Sequence, residues 1–300
     1  MRWNVAVAAL AASFGFVSII VGEVDLDAEV LVFFRCVFAV ATISLVLTLT
    51  RRLDVLARRA TLRFAVPLGT TLGAHWFLFF ETIKLSSVVL AVLTAYLAPI
   101  AVALLGPFFL PERHSPVALA ALVPSIGGLA LVAFAGGDDV NARPLAVLTG
   151  IGTAVTYAGL VIGTKHVAER VSAAALTFWN YTLGGVVVIP LLLTADRIVP
   201  HASELGYVVL LGIVFTAGTG YLYVWLIRRV TAQAMGILAY LEPVSAALLA
   251  WLLLDEALTW RTIFGGALII LGGLAVILLE REETGVVEVP PQPEGSRMRT

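Results

Sequence analysis

Ten apolar stretches, each close to the length a helix needs to cross a lipid bilayer, follow one another along this 300-residue chain. A hydrocarbon core of ~30 Å takes about 20 residues at about 1.5 Å each. The stretches lie at about 3–21, 28–49, 64–84, 86–109, 117–135, 145–164, 172–194, 205–227, 232–254 and 261–279. Composition points the same way, with 60% apolar and 13% charged residues, against about 45–50% and about 25% in soluble domains. The expected fold class is all-α and integral to the membrane. Arg2 followed by Val5 to Ala12 resembles the start of a signal peptide, but the apolar run continues through Ile19, Ile20 and Val21, so an uncleaved first helix is expected.

Orientation follows from where Lys and Arg collect, because positive loops stay cytoplasmic. With the N-terminus inside, 14 of the 19 basic residues fall on that side, including Arg51, Arg52, Arg58, Arg59 and Arg63 in one loop. The outer loops hold 4, namely Lys84, Arg143, Arg197 and Arg261, and Arg35 lies within the second helix. Both termini are therefore expected in the cytoplasm of a multi-pass cell (inner) membrane protein. After Glu280 the sequence turns polar and proline-rich, which reads as a disordered cytoplasmic tail over residues 281–300.

The chain also repeats itself. LTAYLAPIAVALLGPFFLPE at 93–112 lies over ILAYLEPVSAALLAWLLLDE at 237–256 without a gap, and Ala95, Tyr96, Leu97, Pro99, Ala103, Leu104, Leu105, Leu110 and Glu112 all recur 144 residues later. The same offset relates Ile83 to Ile227, Lys84 to Arg228 and Gly128 to Gly272. Shared apolarity does not align Tyr, Pro, Glu and Gly in register. Residues 1–137 and 138–280 are thus read as two five-helix repeats. Five is odd, so the second repeat enters the membrane from the opposite side and the halves are inverted. In such proteins the substrate site commonly sits near midplane between the repeats.

His75-Trp76 with Phe79-Phe80, Tyr96 to Pro99 with Glu112, Tyr240-Leu-Glu-Pro243 with Glu256, and Gly265-Gly-Ala-Leu268 with Gly272 together resemble a ten-helix, EamA-type member of the drug/metabolite transporter superfamily. The resemblance covers residues 3 to about 280. It implies a central cavity lined by helices of both halves and the export or exchange of metabolites. One departure is Pro124, where the second half has Leu268; it is expected to kink a peripheral helix.

Glu242 is the sharpest candidate for chemistry, near the middle of the ninth helix where the first half has Ala98. A carboxylate there costs about 2.5–3.5 kcal/mol or more, and such groups usually face a cavity or a partner. It is expected to bind a substrate amine or carry a coupling proton, unless it is a neutral carboxyl bonded within the bundle. Pro99 and Pro243 each remove a backbone donor and free a carbonyl about one turn earlier, at Ala95 and Ala239. Either the kinks offer polar backbone to the cavity or they serve packing. His75 is a candidate substrate donor or proton carrier, and equally a structural histidine. Trp76, Tyr96, Tyr157 and Tyr240 are candidate cavity aromatics, and Asn180 sets an amide inside the seventh helix. Arg35 and Glu81 sit at similar depth on consecutive helices and are expected to form a structural ion pair. Gly69-x-x-x-Gly73 and Gly159-x-x-x-Gly163 allow close helix approach without naming a partner.

Other classes are disfavoured. A nucleic-acid binder needs a basic patch, and none is evident. His75, His114, His166 and His201 are spread over different depths, and Cys36 is the only cysteine, so no metal or cofactor is expected. No nucleophile elbow or dinucleotide loop is complete, and an enzyme is not expected. The expected function is a secondary transporter of a small organic solute, with a passive channel or a non-transporting receptor or scaffold as the rivals.

Overall fold

The computed structural model describes residues 2–22, 24–57, 59–86, 88–134, 143–254 and 258–279. These build ten long helices: α1 Arg2–Val21, α2 Ala28–Leu49, α3 Arg59–Leu85, α4 Leu90–Phe109, α5 Pro116–Ala133, α6 Pro144–Val167, α7 Ala173–Thr194, α8 Ala202–Leu226, α9 Ala232–Leu253 and α10 Trp260–Leu279. Nine of the ten are both long and apolar enough to cross a membrane. The other, α3, has 27 residues, and its apolar run is diluted by Pro67, Thr70, Thr71, His75, Glu81 and Thr82. The tail after residue 280, the repeat boundary at 137/138 and Glu256 lie outside the described residues.

With five helices in each half, α6 to α10 start from the face opposite to that of α1 to α5, so the architecture is an inverted repeat. Small residues decide which helices touch. A Cβ on Gly69 would lie 2.8 Å from the Trp179 carbonyl oxygen and one on Gly73 would collide with the Val187 side chain, so this glycine pair seats α3 against α7. The second glycine motif behaves differently: Gly163 abuts Leu68, while Gly159 faces open space. Gly128 and Gly265 bring α5 and α10 into backbone contact, and Gly272 receives Ser125. Pro124 is accommodated within the single helix Pro116–Ala133, which keeps its packing on α10.

Both α4 and α9 are broken in the middle, α4 between Ala95 and Ala98 and α9 between Leu238 and Leu241. The breaks precede Pro99 and Pro243, which donate no backbone bond. Around the first, the Ile100 amide turns to the Leu97 carbonyl at 3.1 Å, so the Tyr96 carbonyl loses its intrahelical donor. The Tyr240 hydroxyl supplies it from the other half at 2.7 Å, and the two tyrosine rings stack with centroids 5.4 Å apart. In α9 the Glu242 amide takes the Ala239 carbonyl at 3.0 Å. The backbone exposed at Tyr96 and Ala239 is thus consumed inside the bundle.

Candidate functional site

Seven polar side chains lie deep in the bundle yet keep part of their surface uncovered: Arg35 on α2, Trp76 on α3, Tyr96 on α4, Tyr157 on α6, Tyr181 on α7, Tyr223 on α8 and Glu242 on α9. The Tyr96 hydroxyl hydrogen-bonds the Glu242 carboxylate across the two halves. None of the seven carries a sealed, orphaned polar atom among the described residues. Through Glu242, Arg35 and the tyrosines these side chains form one electrostatically coupled cluster in the interior, between helices of both halves.

Opposite charges meet within this cluster. Glu242 faces the Tyr96 hydroxyl and interacts with the charge of Arg35, and Tyr157 lies within its field. Arg35 in turn sits beside Tyr181 and Cys36. The two charges do not touch as an ion pair. Instead the Arg35 Nε donates to the Thr216 hydroxyl at 3.0 Å, which itself donates to the Leu211 carbonyl at 2.8 Å. That five-residue reach belongs to a π-helical segment, Ile213–Gly218, within α8. Such segments widen a helix and recur at functional sites; here the extra residue turns Thr216 towards Arg35.

The aromatic walls are stacked pairs. Trp76 lies parallel to Tyr181, with ring centroids 6.4 Å apart, and Gly184 makes room for the indole. His75 stacks on Tyr157 at 5.2 Å, and its Nδ1 lies 3.1 Å from the Thr153 carbonyl. A carbonyl only accepts, so Nδ1 carries the proton and Nε2 is the ring's free acceptor.

Three sequence expectations need correction. Arg35 and Glu81 form no ion pair, because α7 packs against both α2 and α3 and holds them apart; the bridge between those helices is Lys84 to Glu29 at 2.8 Å, nearer their ends. Tyr240 does not line the cavity: it has 0% of its surface exposed and spends its hydroxyl on Tyr96. The break at Pro243 does not leave the Ala239 carbonyl free, because it accepts from the Glu242 amide at 3.0 Å. Asn180 remains partly covered within α7, with its carboxamide oxygen buried and unpartnered.

Sequence reasoning missed Thr216 and Tyr223, and also a lock at the face of the bundle that carries the N-terminus. There both carboxylate oxygens of Glu112, at the end of α4, accept from the Ala232 amide that opens α9, at 3.1 and 2.9 Å. Lys165 from α6 lies 3.5 Å from Glu112, the two side chains being 9% and 1% exposed, and donates to the Val230 carbonyl at 2.6 Å. Gln233 adds bonds to the Ser115 amide and the Arg113 carbonyl. Glu112 was legible as a repeated residue; its partners, on α6 and at the start of α9, were not.

A family model described as EamA-like transporter family matches residues 1–134 and 144–279. An uncharacterized transporter of Archaeoglobus fulgidus is 29% identical over 91% of this chain and 96% of its own. The uncharacterized transporter YxxF of Bacillus subtilis is 24% identical over 71% and 69%. A solved crystal structure superposes with a TM-score of 0.81 at 22% identity, covering 92% of this chain and 96% of the other, which speaks for the fold. With an inverted ten-helix bundle, a cluster of interior polar side chains between its halves and a family match over nearly the whole chain, the protein belongs to the EamA-like transporter family.

Proposed function

We propose that the protein is a secondary transporter, an exporter or exchanger of small organic solutes, that works by alternating access from a cell (inner) membrane with both termini in the cytoplasm. The observation that carries this reading is the coupled cluster of interior polar side chains, contributed by both halves, around Arg35 and Glu242. A scaffold gains nothing from two costly charges held deep in an apolar bundle. A channel needs a continuous pore, whereas here the N-terminal face is tied shut across the repeats by Glu112, Lys165 and Ala232. Opening on that side requires these bonds to break, and the broken α4 and α9 are the elements that can move with them. The basic loop around Arg51 and Arg63 supports a cytoplasmic N-terminal face.

The test is counterflow in reconstituted vesicles. Saturable exchange of a labelled solute against an unlabelled internal pool is the expected result. Flux that rises linearly with concentration marks a channel, and its absence for every solute class rejects transport. For orientation, Ala57→Cys in a Cys36→Ala background is expected to react with an impermeant maleimide only after the cell membrane is opened.

A further inference from the structure

We infer that the N-terminal face of the bundle carries a site for an anionic phospholipid, with the phosphate held by Arg63 and His166 and an acyl chain in the cleft between α3, α4 and α6. A cavity of about 340 Å³ lies there, between the start of α3 and the ends of α4 and α6, within the roughly 300–1,000 Å³ of ligand clefts in general. Its walls are apolar, with Phe64 and Pro67 from α3, Phe109 from α4 and Ile162 from α6, and its two polar members are Arg63 and His166. Arg63, Pro67, Phe109 and His166 are all exposed, so the cleft opens on the outside of the bundle. In a chain that crosses a bilayer, that outer surface is covered by lipid.

Depth and charge select the head of that lipid. Arg63 lies in the first turns of α3, Arg59–Leu85, and His166 in the last turn of α6, Pro144–Val167. Both therefore sit at the level where basic side chains reach the headgroups. The Arg63 guanidinium carbon is 5.6 Å from the centroid of the Phe64 ring, which itself lines the cleft, so the charge is held at the mouth. Among the described residues neither Arg63 nor His166 pairs with a carboxylate, and no carboxylate lines the cleft. A zwitterionic headgroup also offers a phosphate, but its ammonium finds no partner here. An anionic headgroup leaves nothing unpaired: its phosphate takes the paired N–H groups of the guanidinium and the ring N–H of His166. Basic pockets between membrane helices recognise anionic headgroups in this way. Duplication alone does not account for the charges, because the residues at the 144-residue offset, Tyr207 for Arg63 and Gly22 for His166, carry none.

The experiment uses the purified full chain in detergent with dioleoylphosphatidylglycerol, with dioleoylphosphatidylcholine, whose chains are the same, and with glycerol phosphate, the head without chains. Retention is read by native mass spectrometry and stabilisation by thermal unfolding, neither of which needs transport, so counterflow can fail while the site stands. Phosphatidylglycerol is expected to be retained at least about tenfold better than phosphatidylcholine, the scale of one charged hydrogen bond. Glycerol phosphate at the same concentration is expected to have no effect. Arg63→Gln and His166→Gln are each expected to reduce the preference, and together to abolish it. Arg63→Lys keeps the charge without the fork and is expected to retain part of it. Arg51→Gln with Arg52→Gln, which removes two exposed charges outside the cleft, is expected to leave it unchanged. Equal retention of the two lipids rejects the anionic headgroup. A preference that survives the Arg63 and His166 double variant, or that is lost with Arg51 and Arg52, places the lipid elsewhere and rejects the site. Stabilisation by glycerol phosphate alone rejects a lipid as the occupant.

Discussion

The two halves share their helices and the pairs Tyr96 and Tyr240, Pro99 and Pro243, and Gly128 and Gly272, yet in the polar groups clustered between them they differ. Glu242 stands in α9 where α4 has Ala98, Arg35 in α2 where α7 has Asn180, and α8 holds a π-helical segment where α3 runs as a regular helix. Even the shared residues divide their work: Tyr96 turns its hydroxyl to Glu242, while Tyr240 is sealed and holds the Tyr96 carbonyl. Duplication therefore accounts for the frame, and divergence after duplication for the chemistry.

Exchanging the most divergent pair breaks the comparison most severely. Ala98 has 0% of its surface exposed, so Ala98→Glu buries a carboxylate with nothing to receive it and is expected to lower stability by roughly 3 kcal/mol or more. In the double variant Ala98→Glu with Glu242→Ala, transport is not expected to return. Glu242→Gln alone is expected to leave folding and membrane insertion intact while concentrative transport falls to background. Thermal unfolding in detergent and counterflow, measured on the same preparations, separate the two effects. A Glu242→Gln protein with full concentrative transport rejects the role given to the α9 carboxylate.

A smaller effect is expected where the halves pack unequally. The Cβ of any residue at position 73 meets Val187, so Gly73→Leu must push α3 off α7 and is expected to cost about 1–3 kcal/mol. Gly159→Leu, placed in open space, is expected to change the unfolding temperature little. Equal loss in both variants would remove the distinction between a glycine that seats a helix and one that merely shares the spacing.

The twin tyrosines sharpen the contrast further. Tyr240→Phe leaves the Tyr96 carbonyl buried without a donor, a loss of about 1–3 kcal/mol, and acts on stability. Tyr96→Phe removes the hydroxyl's bond to Glu242 and leaves no backbone carbonyl without its donor, so it is expected to cost less in unfolding than Tyr240→Phe while weakening solute binding. If both variants lose stability alike, the different roles assigned to the two hydroxyls are wrong.

The contrast also marks what could be read from the sequence. Helix number, inversion and the breaks at Pro99 and Pro243 were legible because each rests on local pattern or on residues in fixed register. The placement of Glu242 followed from depth along one helix. What failed needed neighbours. Arg35 and Glu81 were matched for depth, but depth along consecutive helices does not make those helices touch. The π-helical segment has no residue signature in Ile213–Gly218, so Thr216 reads as one threonine among many. Tyr96 and Tyr240 occupy identical sequence positions, and only the crossing of α4 and α9 tells the one that meets Glu242 from the sealed one.

The smallest effect tests that last point at the correct ion pair. Lys84 and Glu29 join α3 to α2 at 2.8 Å, with Glu29 6% and Lys84 40% exposed, so water competes for the lysine and screens the pair. Pairs of this kind contribute about 0.2–1 kcal/mol. A double-mutant cycle of Lys84→Met and Glu29→Gln is expected to return a coupling within that range. The same cycle on Arg35→Gln and Glu81→Gln is expected to return none, because the two side chains do not meet. Coupling at Arg35 and Glu81 that equals or exceeds that at Lys84 and Glu29 would mean that α2 and α3 touch along their length.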